Sequence, residues 1–261
     1  MNNNLFESII NSLKSLDEVD CIALGGSRST GENDAKSDYD IYVYCNSDIG
    51  YDLRSKALLP FCSEAEICNH YWESEDNCVM KDGVSIDIIY REIAKFEHYL
   101  KMVVDDGFAF NGYTTCFWHN IVTCKVIFDK SGKFSDLKSK YTKPYPDILK
   151  KNIIQKNRNL LSGCLPSYDM QIKKAVLRGD LVSVHHRITE FLASYFDIIF
   201  AVNELTHPGE KRLVSLCKKH CNILPENFEE NINALLASVT KGNSYDIVTD
   251  MVQALDKIIE L

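Results

Sequence analysis

Asp38 and Asp40 open the apolar run "DYDIYVYC", and the glycine pair of "IALGGSRSTG" lies shortly before them. Alternate residues of a strand share a face. The two carboxylates would therefore project side by side, with Tyr39, Ile41 and Val43 on the opposite face. Adjacent carboxylates repel one another unless a cation sits between them. Oxygen-only ligands suit a hard dication, which points to Mg²⁺. Gly26 lets the backbone come close to a phosphate, Ser27 adds a hydroxyl donor and Arg28 adds charge. A helix starting there would offer free N–H groups to an anion. Together the pieces would hold a nucleoside triphosphate with its metals.

Two other phosphate loops fail on this stretch. A dinucleotide fingerprint needs G-x-G-x-x-G, and counting from Gly25 puts Ser27 at the second glycine. A Walker loop finds Gly26 and Gly31 correctly spaced, but Glu32 and Asn33 follow where Lys and Ser or Thr are required. A glutamate there would repel the phosphates.

The combination resembles the signature of the DNA polymerase β-like nucleotidyltransferase superfamily. That signature is an apolar strand, Gly-Ser, a loop of about ten residues and Asp-x-Asp inside a strand. Here it reads Gly26-Ser27 and Ser37-Asp38-Tyr39-Asp40-Ile41. The superfamily has a third carboxylate on a later strand, and "GVSIDIIYR" supplies Asp87. The strand "DIIYR" and the segment "FDIIFAVNELTHPGEKRL" look like the branch of lincosamide and aminoglycoside nucleotidyltransferases.

The resemblance implies a small mixed-sheet catalytic domain followed by a helical one. It implies two Mg²⁺ ions on Asp38, Asp40 and Asp87, and ATP or another nucleoside triphosphate as donor. A hydroxyl of a small acceptor would attack the α-phosphorus, and pyrophosphate would leave; the chain's negative charge, rather than the resemblance, suits a cationic acceptor. Asp87 is the first choice of base and Glu190 the second. Pro208 would open a helix in "THPGEKRL", from whose start Lys211 reaches the triphosphate tail, with Arg212 as substitute. Two rival readings are transfer to a protein hydroxyl, as in antitoxin-like members, and nucleotide binding without turnover. The helical domain disfavours the first, and three intact carboxylates disfavour the second.

The elements that must position these residues are legible in outline. "NLFESIINSLKSL" has apolar residues at helical spacing. "CIALGG" and "DYDIYVYC" read as strands, a helix follows near "YDLRSKALLPF", and "AEICNHYW" and "VSIDIIYR" read as further strands. "REIAKFEHYLKMVVDD" returns to helical spacing. From about residue 141 almost only helical periodicity remains. In "LVSVHHRITEFLASYFDIIFAVN", Leu181, Val184, Ile188, Leu192, Tyr195, Ile199 and Val202 share one face. Ser183, Arg187, Glu190, Ser194 and Asp197 form a polar stripe on another. The expected fold class is α+β, with a nucleotidyltransferase domain over 1–140 and a helical domain over 141–261.

Composition limits the partners. The net charge of −8 over 261 residues disfavours a nucleic-acid partner. No apolar stretch approaches a membrane span, and no secretory signal is seen. The ten cysteines lie scattered in apolar surroundings, which reads as packing in a reducing, cytoplasmic setting. Cys217, His220 and Cys221 have helical spacing, but no second cluster accompanies them as a zinc site would need. A homodimer is compatible with the sequence.

Overall fold

In the computed structural model the described residues are 3–31 and 37–259. The chain forms two compact units, Met1–Leu100 with Asn120–Lys143, and Lys101–His119 with Pro144–Leu261. The chain passes from the first unit to the second at Lys143/Pro144. The excursion over 101–119, which joins the second unit, was not expected from sequence.

The first unit begins with helix α1 (Asn3–Lys14), strand β1 (Val19–Leu24), the short helix α2 (Gly26–Thr30) and strand β2 (Tyr39–Cys45). Helix α3 (Tyr51–Leu58) leads to β3 (Cys62–Asn69), β4 (Ser74–Met80), β5 (Ser85–Glu92) and helix α4 (Ile93–Leu100). After the excursion, helix α5 (Cys116–Thr123) spans the return, and β6 (Lys125–Asp129) and α6 (Lys133–Tyr141) complete the unit. The six strands run in the order β3-β4-β5-β2-β1-β6. The β2–β5 pair is parallel and the others antiparallel, so the sheet is mixed as expected.

Period-2 alternation gives the sheet two unlike faces. Ile41, Val43, Ile86 and Ile88 pack in one core with Ile9 and Leu13 of α1 and Leu58 of α3. Asp40 and Asp87 lie on the opposite face, in register with one another.

Strand β4 is absent from the sequence reading, because "SEDNCVM" is polar where a central strand should be apolar. Its buried Asp76 is accommodated by partners. The Cys68 N–H donates to Asp76 Oδ1 at 2.7 Å, and the buried Arg54 guanidinium lies 3.6 Å away. Arg54 is itself fixed by Ile49 O at 2.7 Å, Ser74 Oγ at 2.8 Å and the Tyr90 ring at 3.8 Å. A paired, hydrogen-bonded charge can be buried where an isolated one cannot.

Among the described residues the second unit holds no strand, and beyond the excursion its helices are α7 (Asp147–Leu161), α8 (Tyr168–Arg178), α9 (Leu181–Val202), α10 (Leu213–His220), α11 (Phe228–Ala237) and α12 (Ser244–Ile259). Its core joins Phe191, Tyr195 and Ile199 of α9 to Phe228, Leu235, Met251 and Leu255. Of the expected apolar face of α9, Val184, Ile188, Tyr195, Ile199 and Val202 are buried, Leu192 is partly buried, and Leu181 at its start is exposed. The expected polar stripe ends inside the unit, since Ser194 and Asp197 are buried. Asp197 accepts from the Thr114 N–H at 3.1 Å, Thr114 Oγ1 at 2.7 Å and Asn157 Nδ2 at 3.2 Å. That network ties the excursion to α7 and α9. Gly112, at φ +93°, lets the excursion close on α9, because a Cβ there would lie 2.9 Å from Ala193.

The helix expected to open at Pro208 instead starts at Leu213, with Arg212 at its N-cap in the left-handed region, φ +59°. The preceding loop is pinned at the buried His207. Its N–H donates to Thr115 Oγ1 at 2.7 Å, and its Nδ1 accepts from the Gly209 N–H at 3.1 Å.

Candidate active site

The first unit concentrates acidic side chains where β1 hands over to β2. Gly25 N–H donates to Asp40 O at 2.8 Å, which fixes the turn after β1 against β2. Gly26 follows at φ +56°, a conformation that glycine adopts without strain. A Cβ on Gly26 would lie 1.7 Å from Asp40 Oδ2, so the absence of a side chain is what leaves room for that carboxylate. Helix α2 starts at this point. Ser29 closes it back, donating from N–H to Gly25 O at 3.2 Å and from Oγ to Gly26 O at 2.8 Å.

Asp38 precedes β2, Asp40 lies within it, and Asp87 is paired with Asp40 across the parallel β2–β5 ladder. One carboxylate oxygen from each comes within 4.8 Å of the other two, and all three residues are half-buried. It is the one such metal-competent group among the described residues; Cys217, His220 and Cys221 form none. Three carboxylates so close together repel, and water shields half-buried charges only in part. A dication between them removes that repulsion. The donors are all oxygen, so the residues present fit Mg²⁺.

The neighbourhood adds support that sequence reading missed. Asn77 Nδ2 of β4 donates to Asp87 Oδ1 at 2.8 Å. Asn69 Nδ2 of β3 in turn donates to Asn77 Oδ1. The buried Glu75 lies on the same face of β4, and burial together with Asp87 and Glu73 holds its carboxyl above the usual range. Further along this face Arg91 forms a two-pronged pair with Glu73, at 2.8 Å and 2.6 Å, under the Tyr42 ring. The signal that could have exposed Asn77 is the turn "KDG", which makes "SEDNCVM" the hairpin partner of the strand carrying Asp87.

The other expected site residues have distinct settings. Arg28 donates to Ser37 O and, from Nε at 2.9 Å, to Asp38 O, and its guanidinium lies 4.0 Å over the Tyr39 ring. It therefore braces the segment that presents Asp38. The side chain of Ser27 lies outside the described residues, although its backbone belongs to α2. Lys211 and Glu190 belong to the second unit. Lys211 is exposed in the loop before α10. Glu190 is half-buried on α9, in an open groove of about 490 Å³ that it shares with His185, His186 and Thr189.

Residues 7–77 match the model described as polymerase beta, nucleotidyltransferase, a span that contains Gly26, Ser27, Asp38 and Asp40 and ends at Asn77. Over that span the chain is similar to the polymerase beta-like nucleotidyltransferases. Residues 115–213 match a domain of unknown function, DUF4037. No curated protein matches the chain.

Among solved structures, it is similar to a nucleotidyltransferase-like protein from Exiguobacterium sibiricum 255-15. The identity is 9%, coverage is 98% of this chain and 74% of that one, and the TM-score is 0.46. An aminoglycoside 6-adenyltransferase from Bacillus subtilis matches at 9% identity over 97% and 90%, with TM-score 0.30. A Thermotoga maritima CCA-adding enzyme complexed with tRNA matches at 12% over 98% and 80%, with TM-score 0.33. None of the three likenesses bears on the substrate of this chain. No helix of the described residues is long and apolar enough to cross a membrane.

Proposed function

We propose that this protein is an Mg²⁺-dependent nucleotidyltransferase that moves a nucleoside monophosphate from ATP or another nucleoside triphosphate to a hydroxyl of a small molecule. The observation that carries this reading is the convergence of Asp38, Asp40 and Asp87 within 4.8 Å beside Gly26, in a nucleotidyltransferase domain. Two Mg²⁺ ions held by these carboxylates would offset the triphosphate charge and lower the pKa of the acceptor hydroxyl.

The chain's own residues divide the remaining work. The backbone turn at Gly26 and the first N–H groups of α2 receive phosphate oxygens, with the Ser27 hydroxyl as a further donor. Arg28 holds the segment carrying Asp38 in place. The acceptor oxygen forms its bond to the α-phosphorus as the α–β bridging bond breaks. Pyrophosphate leaves with that electron pair, and the hydroxyl proton passes to Asp87, with Glu190 as the second candidate base. Lys211 is assigned to the triphosphate tail. The net charge of −8 favours a cationic acceptor. The sequence resemblance carried by "DIIYR" and "FDIIFAVNELTHPGEKRL" directs the choice to aminoglycoside- or lincosamide-like antibiotics. The ten free cysteines suit a reducing cytoplasm.

The test is pyrophosphate release with each of four nucleoside triphosphates, Mg²⁺ and a panel of aminoglycosides and lincosamides, with Asp40→Asn as control. Release that requires a small hydroxyl acceptor and vanishes in the control supports the proposal. Release only with a protein acceptor, or nucleotide binding with no release, overturns it.

A further inference from the structure

Asn77 and Asn69 are joined end to end behind Asp87, and the polarity of that chain is fixed by its last member. A carboxylate only accepts hydrogen bonds, so Asn77 must turn its amide nitrogen to Asp87, which it does at 2.8 Å. Its carbonyl oxygen then faces β3, and Asn69 must present its own amide nitrogen there. The remaining atom, Asn69 Oδ1, is buried without a hydrogen-bond partner among the described residues. An unsatisfied buried acceptor costs stability, and turning Asn69 over would set two carbonyl oxygens against each other. Both amides are thus held in the one orientation that delivers a donor to Asp87, at the expense of an orphaned oxygen.

Register explains why this position can do so. Asn77 is paired with Asp87 across β4–β5, and Asp87 with Asp40 across β5–β2, so the three side chains form a row on one face. We propose that Asn77, backed by Asn69, is a positioning residue that fixes the rotation of the Asp87 carboxylate so that it meets the cation shared with Asp38 and Asp40. This rests on the metal reading of the site given above. Outer partners of ligating carboxylates typically change metal affinity about 10–100-fold when removed.

The experiment is Mn²⁺ binding to the nucleotide-free protein, read by calorimetry and by electron paramagnetic resonance, alongside melting temperature. Wild type should bind Mn²⁺ and Asp40→Asn should not. Asn77→Leu, which keeps the branched shape and removes the donor, should bind Mn²⁺ about tenfold more weakly or worse. In an Asp87→Asn background the same change should have no further effect on binding, whereas a general loss of packing would add to it. Asn69→Leu should give a smaller loss in the same direction, and it carries the test if Asn77→Leu does not fold. Wild type that fails to bind Mn²⁺ overturns the metal reading, and the proposal with it. Wild type that binds, with unchanged affinity in the folded Asn77 or Asn69 variant, overturns the positioning role alone. Additive losses in the Asp87→Asn background overturn it as well.

Discussion

Asp197 in the helical unit and Asp40 in the sheet unit are both drawn in from solvent, yet their surroundings are opposite. Asp197 is fully buried, and Thr114 and Asn157 aim three donors at it. Asp40 is half-buried and faces two further carboxylates, Asp38 and Asp87. Burial pushes the Asp197 carboxyl up to about 7, against the pull of its hydrogen bonds. An acid treated in this way joins elements and has little left to offer a ligand. The sheet unit concentrates negative charge instead, and such an arrangement is stable only with a cation or at a cost. The contrast separates an aspartate that serves folding from three to which we assign the chemistry in our proposal.

The sharpest test of the contrast is Asp40→Asn, which keeps volume and removes charge. Turnover in the pyrophosphate-release assay should fall by about 10²–10³-fold or more. Melting temperature should hold or rise, because one of three repelling charges is gone. Retained turnover would mean that the cluster is not the reaction centre.

Asp197→Asn should do the reverse, leaving turnover per folded molecule intact and changing the pH dependence of stability. The folded carboxyl titrates near 7 and the unfolded one near ~3.9. Between those values the native state binds the extra proton, so this group's contribution falls as pH rises through the window and is lost above 7. The full swing is about 4 kcal/mol. His119 and His207, lowered by burial to about 4 and about 3, act with the opposite sign. Their contribution is present above the unfolded value of ~6.5 and declines as pH falls through the acid range. The difference between wild type and Asp197→Asn, followed by chemical denaturation from pH 4 to 8, isolates the aspartate. A flat difference would remove Asp197 from the comparison.

Two glycines sharpen it further. Gly26→Ala forces a Cβ against Asp40 Oδ2 and imposes a left-handed backbone at φ +56°. Gly31→Ala imposes the left-handed backbone alone, since no atom of the described residues lies within 4 Å of its Cβ position. Both should lose about 1–2 kcal/mol of stability in denaturant titrations. Only Gly26→Ala should also lose turnover, by about 10²-fold, because it displaces a reacting-site carboxylate. Equal turnover in the two variants would show that Asp40 need not lie where it does.

Lys211→Ala carries the smallest expected effect. An exposed cation contributes less than about 1 kcal/mol, so KM for the triphosphate should rise by about fivefold or less. Monophosphate affinity should change less, and stability should stay within about 0.5 kcal/mol. Identical kinetics for wild type and variant would confine phosphate binding to the sheet unit.

The sequence by itself determined local geometry. The spacing of Asp38 and Asp40 puts them on one face of a strand, and the apolar period of α9 marks a buried helix. Gly26-Ser27 marks a turn into a short helix. These follow from backbone periodicity, which is a property of neighbouring residues. Tertiary structure decided which strands lie beside one another. Only the parallel β2–β5 register sets Asp87 opposite Asp40. Only a second pairing brings in "SEDNCVM", whose polar residues resemble a loop until Arg54 and Cys68 satisfy Asp76 and Asn77 reaches Asp87. The excursion over 101–119 was hidden for the same reason, since its anchor, Asp197, lies far along the chain. Period-2 alternation states which face a side chain takes, but not which strand will be its neighbour. That choice is made by long-range pairing, whose energy no local stretch contains.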